Sequence, residues 1–137
     1  MYSSIMVPVD LAHLDKIDKA LQAAADLARH YGAAVHYVAV TSAAPSEVAH
    51  NPAEFAEKLD SFVAAQARAH GIDARAHPIR SHDPAVDLDQ TLRNAGDAIG
   101  ADLIVMASHV PGFADHIFHA HGGYVASHSD LSVFVVR

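Results

Sequence analysis

The chain has no cysteine, so disulfides, thiolate metal ligands and thiol nucleophiles are excluded, and a reducing compartment would suit it. Cations are scarce as well. Lys and Arg number 9 against 16 Asp and Glu, a formal net charge of −7 with histidine neutral. That balance disfavours a nucleic-acid partner held through its phosphates and suits a small-molecule or protein partner better. No apolar run approaches the roughly 18 residues a membrane-spanning helix needs. The amino terminus lacks a basic segment and its apolar run is cut by Pro8 and Asp10, so neither a signal peptide nor an anchor is expected and the expected location is the cytoplasm. Internal repeats, low-complexity tracts and an interdomain linker are missing too. A length of 137 residues suits a single domain over 1–137.

What is present is a set of short apolar runs. Ile5-Met6-Val7-Pro8-Val9-Asp10 and Leu103-Ile104-Val105-Met106-Ala107-Ser108-His109 each break into polar residues at the carboxyl end. This is the pattern of a strand buried on both faces of a parallel sheet. Such strands place ligands at their carboxyl ends, where the winding direction reverses, so Asp10 and the 107–109 segment should face each other across a crevice. Elsewhere strand and helix signals alternate. Leu14, Ile17, Leu21, Ala24, Ala28 and Tyr31 form one helical stripe that Gly32 closes, and Ala34 to Val40 reads as the second strand. Asn51-Pro52-Ala53-Glu54 opens a helix carrying Phe55, Leu59, Phe62, Val63 and Ala67, ended by Gly71. Ala74 to Ile79, diluted by Arg75, His77 and Pro78, predicts a strand at the sheet margin. Asp83-Pro84 opens a third helix with Ala85, Leu88, Leu92, Ala95 and Ile99, stopped at Gly100. A fourth helix between His119 and Ser129 and a last strand, Val133 to Val136, complete the series. Five strands joined by four helical crossovers predict an α/β fold with a doubly wound parallel sheet and helices on both faces.

The opening run, the phrases Lys19-Ala20-Leu21 and Ala28-Arg29-His30-Tyr31-Gly32-Ala33, the stretch Gly100 to His109, and the closing Ser132-Val133-Phe134-Val135-Val136-Arg137 together resemble the universal stress protein family over essentially the whole chain. The resemblance implies a Rossmann-like sheet in the order 3-2-1-4-5 and an adenine nucleotide, ATP or AMP, as ligand, with Mg if ATP. Carried over by position, Pro8, Val9 and Asp10 border the nucleoside, with the Asp10 carboxylate near the ribose or a metal. Val40 touches the adenine, and Met106 and Ala107 line the pocket floor. The plainer reading of Asp10 is a polar strand end or helix cap. The family also implies pairing of the last strand, Val133, Phe134, Val135 and Val136, with its copy in a homodimer; the alternative is a monomer whose loop shields that edge.

Nucleotide-binding members carry, after the fourth strand, Gly-x-x-Gly, about nine residues, then Gly-Ser or Gly-Thr, so that bare backbone and a hydroxyl approach the phosphates. Here Ala107, Val110 and His119 stand at the glycine positions and Ala120 at the hydroxyl position. Losing that hydroxyl forfeits about 1.5–3 kcal/mol, one to two decades of affinity. Gly122-Gly123, immediately downstream, either offers bare amides as a shifted anion site or only loosens a short helix at about 1 kcal/mol per glycine, and His109 is counted with the nucleotide-binding residues.

Histidine is abundant, 12 in all, with His109, His116, His119, His121 and His128 close together. The spacing His116-x-x-His119-x-His121 suits zinc, nickel or copper. The same residues also read as solvated loop histidines, or as imidazolium groups pairing with phosphate. An Asp10–His109 acid–base pair across the crevice lacks any nucleophile or metal triad beside it, so no enzyme is expected, slow ATP hydrolysis aside. Two functions follow. In the first, a stress-response module holds a nucleoside through Pro8, Val9, Asp10, Val40 and Met106, and binds AMP or adenosine about as well as ATP. In the second, the pocket is closed and only the dimer surface acts.

Overall fold

Strand β1 (Ser4–Pro8) runs through the middle of a five-stranded sheet with β2 (Ala34–Thr41), β3 (Ala74–Arg80), β4 (Leu103–Ala107) and β5 (Ser132–Val136), in the order β3-β2-β1-β4-β5. All four pairings are parallel. The computed structural model describes residues 1–42, 44–108 and 131–137; the expected fourth helix lies outside them. Helices α1 (Asp18–Tyr31), α2 (Pro52–His70) and α3 (Pro84–Ile99) link the strands. Tyr37 of β2 packs edge-to-face on Phe62 of α2, with ring centroids 5.5 Å apart. Its neighbour His36 is in register with Met6, whose side chain lies beside Gly96 of α3. Adjacent strand residues point to opposite faces, so α2 and α3 cover opposite sides of the sheet.

The strands form where the apolar runs are. Ile5, Met6, Val7, Val35, Tyr37, Val38, Val105 and Met106 are essentially inaccessible, and Leu59 and Leu92 bring the helices onto them. Burial on both faces is the condition that a continuous apolar strand meets. β3, at the margin, alternates half-buried with exposed residues, and Pro78 is tolerated there opposite Ala39.

Helix ends follow local chemistry. The Asn51 side chain accepts a hydrogen bond from the Glu54 amide at 2.9 Å, and the Glu54 carboxylate accepts one from the His50 amide at 3.1 Å, a near-reciprocal cap on α2. That bond from His50, with the nearby Lys58, holds the Glu54 carboxyl below its ordinary range. Gly32 and Gly71 close α1 and α2 at φ 67° and 63°, where a side chain would be strained.

One expectation needs correction. The stripe from Leu14 does not begin as α-helix. Residues 10–17 wind with i→i+3 bonds, His13 N to Asp10 O, Lys16 N to His13 O and Ile17 N to Leu14 O, and the i→i+4 pattern starts only with Leu21 N to Ile17 O. The stripe still packs, Ile17 being buried, but through a tighter 3₁₀ turn after the strand.

The start of β1 is tied to β4 by Asp102. Its carboxylate accepts from the Ser3 amide, the Ser3 hydroxyl and the Ser4 amide at 2.9–3.0 Å. Burial opposes its ionisation, but these bonds outweigh it and hold the carboxyl below its ordinary value.

Candidate functional site

At the carboxyl ends of the central strands the register decides what meets. Met6 pairs with Ile104, so two residues on, Pro8 comes level with Met106. Pro8 pairs with Val38, so Val40 lies one step further along the rim. By the alternation of strand side chains, Pro8, Val40 and Met106 share the α3 face with Met6 and His36, whereas Val9 and Ala107 fall on the opposite parity and are buried. Met106 is 1% exposed and Val40 is half-buried, so Met106 is floor and Val40 is rim.

Asp10 is half-buried just beyond β1. Its Oδ1 accepts from the Ala12 amide at 3.0 Å, and its Oδ2 lies 2.8 Å from His13 Nδ1. The carboxylate therefore caps its own turn, as the plainer reading had it, while its side chain remains at the rim. A metal or ribose hydroxyl at this point would share a carboxylate that already has two partners. His13 was missed by the sequence reading. The signal available was the Asp-x-x-His spacing directly after a strand, where an acid and a base meet across one tight turn.

His109, Val110, His119, Ala120, Gly122 and Gly123 lie outside the described residues, as do His116, His121 and His128. Among the described residues no group of three or more His, Asp or Glu is placed to hold a metal ion.

Two cavities open near this rim. One, of about 490 Å³, lies beyond the carboxyl ends of β2 and β3 and is lined by Ser42, Ala44, Arg80, Ser81 and His82. The other, of about 380 Å³, is lined by Leu11, Ala12, Leu14, Glu47, Val48, Lys58 and Phe62, on the side of α2. The β5 edge is uncovered among the described residues: it pairs only with β4, with Phe134 46% and Val135 36% exposed, while Val136 turns into the core. No described helix is long and apolar enough to cross a membrane.

A 3-2-1-4-5 parallel sheet with its polar rim at the switch in winding defines a doubly wound α/β protein of the Rossmann-like class. The universal stress protein family model matches residues 1–137, and the chain belongs to that family. It is 25% identical over 143 residues to universal stress protein G of Salmonella typhimurium (strain LT2), and likewise to that of Shigella flexneri, each alignment covering 100% of both chains. In three dimensions it is similar to a universal stress protein from Archaeoglobus fulgidus, with a TM-score of 0.65, 22% identity and 100% of both chains covered. It is also similar to a universal stress protein crystallised with cAMP, with a TM-score of 0.63, 18% identity and 99% of this chain and 97% of that one covered. A third similar structure is the Archaeoglobus fulgidus protein in complex with dAMP, with a TM-score of 0.63, 21% identity and coverage of 99% and 98%.

Proposed function

We propose that the chain is a single-domain, cytoplasmic stress-response regulator that binds an adenine nucleotide at the carboxyl rim of β1, β2 and β4. The observation that carries this reading is the convergence of Pro8, Val40 and Met106 on one face at that rim, with Asp10 beside them. The two ligands named in the complexes of similar structures, cAMP and dAMP, are adenine monophosphates, which supports the same class here. Val9 and Ala107, buried on the other face, support the pocket wall from behind. The substitutions Ala107, Val110, His119 and Ala120 in the phosphate segment remove the contacts that would reward a triphosphate, so the β- and γ-phosphates, and a Mg ion with them, add little affinity. Gly122-Gly123 and His109 are assigned at most a secondary contact with phosphate, the tract His116, His119 and His121 is assigned no metal, and no residue is assigned a catalytic role.

A second reading is an interaction module that uses its edge strand alone. The exposed Phe134 and Val135 favour it, and both readings include a homodimer formed through Val133, Phe134, Val135 and Val136.

Asp10→Asn discriminates between them. The amide keeps an acceptor for the Ala12 N–H but loses the negative charge, and a charge-assisted hydrogen bond to a ribose hydroxyl is worth about 1.5–3 kcal/mol. Calorimetry is expected to show AMP affinity falling about tenfold or more with the thermal midpoint little changed. Unchanged AMP affinity in the variant would remove Asp10 from the site, and no AMP binding by the unaltered chain would leave the interaction reading.

A further inference from the structure

The sheet ladder continues one residue past β1 and β4. Val9 N donates to Val38 O and Ser108 N donates to Val136 O, each at 2.9 Å, so both central strands stay extended to the rim. The register that pairs Met6 with Ile104 brings Asp10 level with Ser108 four residues on. Ser108 follows Met106 by two, so its side chain returns to the face shared by Pro8, Val40 and Met106. Its hydroxyl is buried and has no hydrogen-bond partner among the described residues. Asp10 beside it takes its bonds from the Ala12 amide and His13 instead. An alanine at 108 would avoid the cost of a buried, unmet hydroxyl. Such a group at the rim where ligands bind points to a partner from outside the chain. The family pattern leaves Ser108 unassigned, since it falls between the two glycine positions held here by Ala107 and Val110.

We propose that Ser108 Oγ donates a hydrogen bond to the first phosphate of the nucleotide and is the residue that separates AMP from adenosine. The proposal rests on the nucleoside reading above, and the strand order leads to it. β2, β1 and β4 are consecutive neighbours, spaced by about 4.8 Å. With the base at Val40 on β2 and the ribose at Asp10 beyond β1, the next step in the same direction is β4, where Ser108 stands. In the ligand, the group that follows the ribose is the first phosphate. The hydroxyl donates and a phosphate oxygen accepts, a charge-assisted bond. The Ser108 backbone is already fixed by Val136, so the donor is in place before the ligand arrives, and binding meets an unmet bond without breaking another. Asp10 brings a like charge to the same rim, which the Ala12 amide and His13 beside its two oxygens offset. One hydroxyl rewards one phosphate. The expectation from sequence treated AMP and adenosine alike, whereas Ser108 separates them while leaving AMP and ATP equivalent.

The test uses the full chain with Ser108→Ala, and with Ser4→Ala as the control. Ser4 Oγ is likewise buried without a partner, but at the amino end of β1, the far end of the strand from the rim. Removing an unmet hydroxyl is expected to raise the thermal midpoint of either variant or leave it within about 3 °C of the unaltered chain. Calorimetry is expected to show AMP about tenfold tighter than adenosine in the unaltered chain and in Ser4→Ala. In Ser108→Ala the ratio falls to near one, with adenosine affinity unchanged. Ser108→Cys, which keeps nearly the same volume but is a weak donor, loses most of the AMP advantage as well. An advantage that survives Ser108→Ala, or equal affinities in the unaltered chain, overturns the assignment and leaves the nucleoside reading standing. A midpoint lowered by more than about 3 °C in Ser108→Ala with the advantage intact identifies a hydroxyl held inside the fold, and also overturns it. Binding of neither ligand removes the nucleoside reading and the assignment together.

Discussion

Leu59→Ala is expected to cost about 2–5 kcal/mol of unfolding free energy, the range for deleting a fully buried leucine from a packed core. Leu59 sits mid-helix in α2 at 0% exposure, in one cluster with Tyr37, Phe55 and Val63. α2 covers only the β2 and β3 side of the sheet, where β3 is an edge strand of half-exposed residues, so no second layer can close over the void. Against a typical domain stability of about 5–15 kcal/mol, the loss is a large fraction of the total. Urea unfolding measures it. Asp60→Ala, one residue on and exposed, should change stability by less than about 0.5 kcal/mol. A Leu59→Ala loss under about 1 kcal/mol would mean that α2 is not seated on the sheet as described.

Acid is expected to destabilise the β2–β3 pair. His36 is the buried polar side chain of the core, 6% exposed, and its Nδ1 lies 2.8 Å from His77 Nε2 on β3. With ring centroids 5.0 Å apart, the nitrogens face each other nearly head-on, an N–H···N bond that needs one donor and one acceptor. Two imidazolium rings would present donors to each other. Burial first, then the charges of His77 and Arg75, lower the His36 pKa below 6.5, with Asp73 pulling weakly the other way. Burial and Arg75 lower that of His77. Both groups therefore bind protons less readily folded than unfolded. Their contribution is complete above the unfolded value near 6.5 and is lost as pH falls below it. The slope is at most about 1.4 kcal/mol per pH unit for each proton taken up on unfolding. Urea unfolding from pH 7.5 to 5 should show this fall in the unaltered chain and a shallower one in His77→Ala. Equal slopes in the two would remove the pair as the cause.

What was legible in the sequence was what depends on neighbours along the chain. The apolar runs at 5–9 and 103–107 became the two central strands because burial on both faces leaves no polar alternation to read. Asn51 and Gly71 bounded α2 because caps are local. The strand order came with the family resemblance, and the structure has that order. The marginal place of β3 followed from Pro78, yet the partner of His77 did not, since His36 lies 41 residues away and only the parallel register brings the two rings together. The grip of Asp102 on Ser3 and Ser4, across 99 and 98 residues, is likewise a tertiary fact. The late start of α-helix within the stripe, at Asp18, reflects competition in the other direction, because Asp10 imposes a local turn that hydrophobic spacing cannot register.

The crevice proposed here holds an adenine nucleotide through its nucleoside end, without a triphosphate clamp. Calorimetric titration of the unaltered chain with AMP and with ATP plus Mg tests it most directly. Affinities that agree within about threefold, a difference below about 0.7 kcal/mol, are the predicted result. ATP binding tighter by two decades or more would show that the segment after β4 still grips the terminal phosphates, and would contradict it.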